Sequence, residues 1–404
     1  MYPAEGIRHS KSCFGRPGLR ACTLRIVKLQ PMAIAVGMGF AACGELARDN
    51  NDASATDATV TDVVIETTND AVVEACSFTT CGSACVALET DPKNCGKCGH
   101  DCLGGTCASG VCQPFQLATG LTIASTQLTL IGPYLYWTGG QQLNSGAVYR
   151  VSTDGGNVTT LAAGLSGPPT NVASDGTNVY FAVGGTGASS GAIMSLPLDA
   201  DGGQTPLVLY PAQDDAYAVA VRGNNVYWTN RGFSTTPSVN QAPKNGTGPI
   251  VPLATGIKEP LAIAVDDAFV YWALDADPGG VQKAPIDGGA VVPIAAPKYP
   301  NALVLRGNTL YFTDQAIPAI QWMALDGSTP TSVTTITMIQ LAVSDDSVYF
   351  THANLPGSVN RVSLDAGTVT KLVSVQHEAF GVAEDATAIY WTQWDDGTLM
   401  KLAK

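Results

Sequence analysis

Charge is scarce in this sequence: Asp, Glu, Lys and Arg together make up 14% of its 404 residues. Long amphipathic helices need a charged face opposite their apolar stripe, and no segment sustains a 3.6-residue apolar period. Histidine is scarcer still, with only His9, His100, His352 and His377. HExxH and P-loop patterns are missing, which excludes the commonest zinc-protease and nucleotide-binding signatures. Basic residues number 21 against 34 acidic, a net charge of −13. That argues against nucleic acid, whose phosphates must be met by Lys and Arg. The apolar run at residues 32–42 is 11 residues long, whereas a bilayer-spanning helix needs roughly 20. What abounds is Gly (43) and Pro (24), a composition for short strands and tight turns.

Arg8, Lys11, Arg16, Arg20, Arg25 and Lys28 precede the apolar run, and small residues end it. Basic, then apolar, then small is the layout of an export signal. Without residues 1–42 the chain has 15 basic and 33 acidic residues, net −18. Such acidity also keeps a Gly-rich β-protein soluble. The run ends Phe40-Ala41-Ala42-Cys43-Gly44, which resembles the lipobox of bacterial lipoproteins, with Phe40 where Leu is usual. The resemblance implies cleavage before Cys43, its acylation, and a membrane partner reached through that lipid. The expected location is the outer membrane or cell surface, with the periplasm as the alternative. Two acyl chains anchor stably where one is marginal. Under an ordinary cleaved signal, Cys43 would be a spare thiol. Residues 43–75 then read as a disordered tether, because 44–75 carry eight acids, one Arg and no aromatic residue.

Eight cysteines fall within residues 76–112: Cys76, Cys81, Cys85, Cys95, Cys98, Cys102, Cys107 and Cys112. In an exported chain this density reads as a disulfide framework standing in for a core too small to fold alone. Its connectivity is open. The competing reading is a metal site at Cys95, Cys98, Cys102 and His100, since CxxC spacing also suits zinc. Residues 91–112 (DPKNCGKCGHDCLGGTCASGVC) resemble the small Cys-rich modules of myxobacterial surface and secreted proteins. That likeness implies an extracytoplasmic spacer and no chemistry.

From residue 113 onward the chain repeats. A Tyr followed by Trp or Phe recurs at Tyr136, Tyr180, Tyr227, Tyr271, Tyr311, Tyr349 and Tyr390, at intervals of 44, 47, 44, 40, 38 and 41 residues. A period near 40–45 with four short strands per unit marks propeller blades. Each unit also carries a Gly/Asp turn, such as Asp154-Gly155-Gly156 or Asp287-Gly288-Gly289, which supplies the positive φ of a tight hairpin. The last unit lacks a fourth strand. Gln116-Leu117-Ala118-Thr119-Gly120-Leu121 matches fourth-strand segments elsewhere, so residues 116–121 are expected to close blade seven. The expected fold is therefore all-β: a monomeric seven-bladed β-propeller over 113–404, its aromatic pairs packed between blades. Tyr311-Phe312-Thr313-Asp314 and Tyr227-Trp228-Thr229-Asn230 resemble the YWTD repeats of low-density-lipoprotein-receptor propellers. That likeness implies extracellular binding and transfers no binding residue.

No catalytic set emerges. Loops leading into the innermost strands carry Asp214, Asp215, Glu259, His377 and Glu378, expected at one mouth of the channel. They read either as solvated loop charges or as hard oxygen ligands for Ca²⁺ or Mg²⁺, as in lactonase- and lyase-type propellers. The expected function is a tethered module binding an unknown protein or glycan, without a cofactor. The alternative is a metal-dependent propeller enzyme.

Overall fold

The computed structural model describes residues 7–14, 21–28, 78–121, 127–140, 144–185, 189–232, 236–335, 340–353, 356–374 and 378–404. Cys43, the acidic tether, Cys76 and His377 lie outside these residues. In the N-terminal unit, Ile7–Phe14 pairs antiparallel with Ala21–Lys28, Ile7 opposite Lys28 and Phe14 opposite Ala21. The sequence reading gave this basic stretch no strands. Thr23, Ile26 and Val27 in the second strand are β-branched, which favours extended backbone.

Among the described residues, seven four-stranded antiparallel sheets follow residue 113. From innermost to outermost strand, blade 1 runs from Leu128–Ile131 to Thr159–Leu165 and blade 2 from Pro169–Ser174 to Leu207–Gln213. Blade 3 runs from Ala216–Arg222 to Val251–Thr255, and blade 4 from Pro260–Val265 to Val292–Ala295. Blade 5 runs from Leu303–Arg306 to Thr331–Thr334, and blade 6 from Leu341–Val343 to Val369–Ser374. Blade 7 contributes Ala379–Glu384, Ala388–Gln393 and Thr398–Ala403, and takes Phe115–Ala118 as its outer strand. Leu399 faces Ala118, Met400 faces Gln116 and Lys401 faces Phe115. The closing strand stops at Ala118, short of the expected Leu121, whose N–H instead bonds Gly397 O at 2.9 Å.

The aromatic pairs explain why the blades stack. Successive side chains of a strand point to opposite faces of its sheet, so the Tyr of each pair faces one neighbouring blade and the Trp or Phe faces the other. Tyr136 shares a buried cluster with Phe181, Tyr180 with Trp228, and Tyr227 with Trp272. Tyr271 lies with Phe312, Tyr311 with Phe350, Tyr349 with Trp391, and Tyr390 with Trp137. Every seam of the ring thus has its own core.

The Thr after the pair has a separate task. Innermost strands slip register near their start, between Ala216 and Val219 in blade 3 and between Ala379 and Val382 in blade 7. Such a bulge strands a backbone N–H. Thr229 Oγ1 accepts the N–H of Ala218 at 3.0 Å, and Thr392 Oγ1 accepts that of Gly381 at 2.9 Å.

At the other end of the strand, an Asp five residues before the Tyr builds the turn. Asp175, Asp266 and Asp385 each accept two backbone N–H groups on Oδ1 and the hydroxyl of Tyr180, Tyr271 or Tyr390 on Oδ2.

In the Cys-rich module, disulfides join Cys81 to Cys98, Cys95 to Cys107 and Cys102 to Cys112, and Cys85 is disulfide-bonded as well. The sulfurs of Cys95, Cys102 and Cys112 all lie within 4.8 Å of one another. Because these sulfurs are spent in disulfides, no thiolate remains for a metal, and the zinc reading of this cluster is overturned. The module is also more than a spacer. Cys95, Cys102, Cys107 and Cys112 belong to the same buried cluster as Tyr349, Trp391 and Leu402, at the seam of blades 6 and 7. His100 spans the junction, with Nδ1 2.6 Å from Cys95 O and Nε2 2.7 Å from Lys404 O.

Candidate functional site

On one face of the ring, one backbone bond recurs. The residue just past a second strand donates its N–H to the carbonyl of the residue just before the innermost strand. Arg231 donates to Asp215 at 3.1 Å, and Gly184 to Pro168, Asp275 to Glu259 and Trp394 to Glu378, each at 3.0 Å. Asp215, Glu259 and Glu378 therefore hold one structural position in blades 3, 4 and 7. Asp215 and Glu259 adopt φ of 58° and 31°, a left-handed backbone that costs a non-glycine residue roughly 1–3 kcal/mol.

The side chains there do not behave as a set of free acids. The Asp215 carboxylate is 7% exposed and forms an ion pair with Arg231 Nε at 2.7 Å. The Arg231 guanidinium lies 4.3 Å over the Tyr217 ring, a cation–π arrangement. Burial pushes the Tyr217 phenol up, with Arg231 pulling the other way. Asp214 is buried too, and its carbonyl accepts the Gly232 N–H at 3.2 Å. In blade 4, burial and then the charge of Glu259 raise the Asp275 carboxyl, against the opposing pull of Arg231. In blade 7, Phe380 and Trp394 pack with ring centroids 4.8 Å apart and planes tilted by 35°. Phe380 and Tyr217 are each the second residue of an innermost strand, so the two platforms are structural equivalents. His352 ends the second strand of blade 6 and lines a cavity of about 500 Å³ with Asn360 and Lys371; burial lowers its pKa.

The structure thus places Asp214, Asp215, Glu259 and Glu378 where innermost strands begin. Among the described residues they do not converge into a cluster of three or more ligand atoms. Sequence reasoning missed Arg231, Tyr217, Asp275, Phe380 and Trp394. A signal for three of them was present, since Arg231, Asp275 and Trp394 each stand four residues after a Tyr of the aromatic pair.

Seven four-stranded sheets stacked through aromatic seams define a seven-bladed β-propeller. No protein-family model and no curated protein matches the sequence. Solved structures do resemble it. A catalytically inactive variant of virginiamycin B lyase from Staphylococcus aureus, solved with quinupristin, is 14% identical, with a TM-score of 0.56 over 72% of this chain and 98% of that one. The β-propeller domain of Cps50 (Swd1) from Myceliophteria thermophila is 13% identical, with a TM-score of 0.56 over 72% of this chain and 100% of that one. A chain of a nidogen/laminin complex is 18% identical over 56% of this chain and 89% of its own, at a TM-score of 0.42. For the lyase and the Cps50 domain the likeness at such identities is one of fold, and propellers host unrelated functions.

Proposed function

We propose that the protein is a lipoprotein anchored in the cell envelope through Cys43, whose propeller binds a protein or glycan on the face bearing Tyr217, Arg231, Phe380 and Trp394. The observation that carries this reading is the pair of equivalent platforms, Arg231 over Tyr217 and Trp394 against Phe380. Tyr, Trp and Arg are the residue types that dominate binding energy when they cluster. Cross-linking on intact cells, read by mass spectrometry, tests it. A partner recovered with the wild type should fall roughly tenfold in an Arg231→Ala, Trp394→Ala double variant; equal recovery sinks the reading. In the same samples, Cys43→Ser should release the chain from the membrane fraction.

A second reading, a metal-dependent lyase or lactonase, draws on Asp275 and Glu259, two carboxylates close enough that one raises the other. A bound Ca²⁺ or Mg²⁺ would relieve that repulsion. Calorimetry with either ion decides the matter: heat abolished by Glu259→Gln favours the enzyme, and no heat removes it.

A further inference from the structure

On the opposite face, blade 1 departs from its sister blades. In blades 4 and 7 the turn Asp and its Tyr are joined by a Lys on the third strand, Lys283 opposite Tyr271 and Lys401 opposite Tyr390. The ammonium groups lie 6.0 and 5.7 Å over those rings. In blade 2 the cation comes from the neighbouring blade, with Lys244 Nζ 2.6 Å from Asp175. In each of these sites an ammonium lies over the phenol ring or bonds the carboxylate to which the phenol donates. Blade 1 supplies the phenol of Tyr136 and, opposite it, the guanidinium of Arg150. The position five residues before Tyr136, where the carboxylate would come from, is Ile131. Blades 3 and 5 have Arg222 and Arg306 there, paired with Asp267 at 2.7 Å and Asp345 at 2.8 Å. Blade 6 has Ser344. Ile131 is the one aliphatic residue at this position in the seven repeats.

The consequence is visible in the packing. Tyr136 is 0% exposed, and its hydroxyl has no hydrogen-bond partner, a state shared by Tyr227 of blade 3, whose repeat also lacks the turn Asp. A buried hydroxyl without a partner costs about 1–3 kcal/mol unless something else satisfies it. Burial pushes this phenol up, outweighing the opposing pull of Arg150 beside it. Arg150 Nη1 donates to Leu198 O at 2.7 Å, and the guanidinium lies 4.8 Å over Tyr134. Neither contact balances its charge. Both groups line a cavity of about 790 Å³ between blades 1 and 2, together with Ile131, Tyr134 and the exposed Asp199 and Asp201.

We propose that this cavity binds a small amino-carboxylate, a free amino acid or short peptide, whose carboxylate takes the place that Asp holds in blades 2, 4 and 7. The Tyr136 hydroxyl and Arg150 guanidinium receive the carboxylate, the strongest pairing Arg makes. Tyr134, Ile131 and Leu198 give the cavity an apolar wall, and Asp199 and Asp201 meet the ammonium at the rim. This site is independent of the platforms at the other face.

The test is a thermal-shift and calorimetric screen of the full chain against the twenty common L-amino acids, their C-terminal amides and glycyl dipeptides. At about 10 mM, at least one free carboxylate should raise Tm by about 2 °C or more, while its amide leaves Tm unchanged. Tyr136→Phe and Arg150→Gln should each weaken that ligand roughly tenfold. Ile131→Asp, which gives blade 1 the carboxylate of its sisters, should block binding. Tyr136→Phe removes one oxygen and keeps the seam filled, so the test stands even where another variant folds poorly. No shift with any probe, equal shifts with amides, or affinity unchanged in Tyr136→Phe and Arg150→Gln each overturn the proposal.

Discussion

The Cys-rich module and the ring solve one problem in two ways. Residues 78–112 contain Phe78 as their one aromatic residue, and it is 62% exposed. The module's buried cluster residues are Cys95, Cys102, Cys107 and Cys112, so its interior is made of sulfur. The ring has no disulfide among the described residues and instead buries an aromatic pair at every seam. A segment that cannot gather large side chains must restrict its unfolded state covalently. A repeat that can gather them needs no cross-link. The two meet at the seam of blades 6 and 7, where the cystines become part of an aromatic core.

Reduction should break the comparison most visibly. Each disulfide contributes about 2–4 kcal/mol, so dithiothreitol should unfold residues 78–112 while the ring keeps its sheets. Hydrogen exchange would then show module amides unprotected and ring amides still slow. Next comes Trp391→Ala, at the shared seam, expected to cost about 3–5 kcal/mol in urea unfolding. Unfolding left unchanged by Trp391→Ala would mean that the seams are not what hold the blades.

Asp175→Asn tests a single turn and should cost roughly 2–3 kcal/mol at neutral pH. Burial alone would raise the Asp175 carboxyl, but Lys244, the N–H groups of Asn178 and Thr177, and Tyr180 outweigh it and hold it far below its usual value of 3.8. A depressed carboxylate contributes fully above the unfolded pKa and loses that contribution as pH falls through the folded one. The gap between wild type and variant should therefore narrow below pH 3.8. At the alkaline end, Tyr180, raised to about 12 by burial and then by Asp175, favours the fold until unfolded tyrosines ionise above pH 10. The smallest effect belongs to Thr392→Val, which orphans the Gly381 N–H and should cost about 1 kcal/mol.

The blades were legible because the Tyr-aromatic pair recurs at a period that only a repeat explains, and its role between blades follows from strand alternation. Closure was legible in the likeness of Gln116-Leu117-Ala118 to other fourth strands. Connectivity among the cysteines was not, since spacing leaves the pairings open and folding selects among them. Docking of the module was hidden as well, because Cys95 and Cys107 show no apolar period that would mark a surface. At the mouth, the acids could be assigned to loops by counting turns. The pairing of Asp215 with Arg231 could not, because it depends on the second strand ending beside the start of the first. The Tyr136 cavity had a readable trace, Ile131 where sister repeats carry a charged or polar residue, but its meaning required seeing the phenol buried.

The pairing of Phe115 with Lys401 sets the order of events in folding. The ring strand that is synthesised first finds its partner only after all seven blades have been made. Until then blade 7 is one strand short and the ring is open, with two sheet edges available to other chains. Nearly 290 residues separate the strands that must meet, so the closing step is among the most non-local contacts such a chain can make and is expected to be slow. A chain held unfolded until it is complete would avoid the exposed intermediate, whereas one that folds as it emerges would carry an unfinished ring for most of its synthesis.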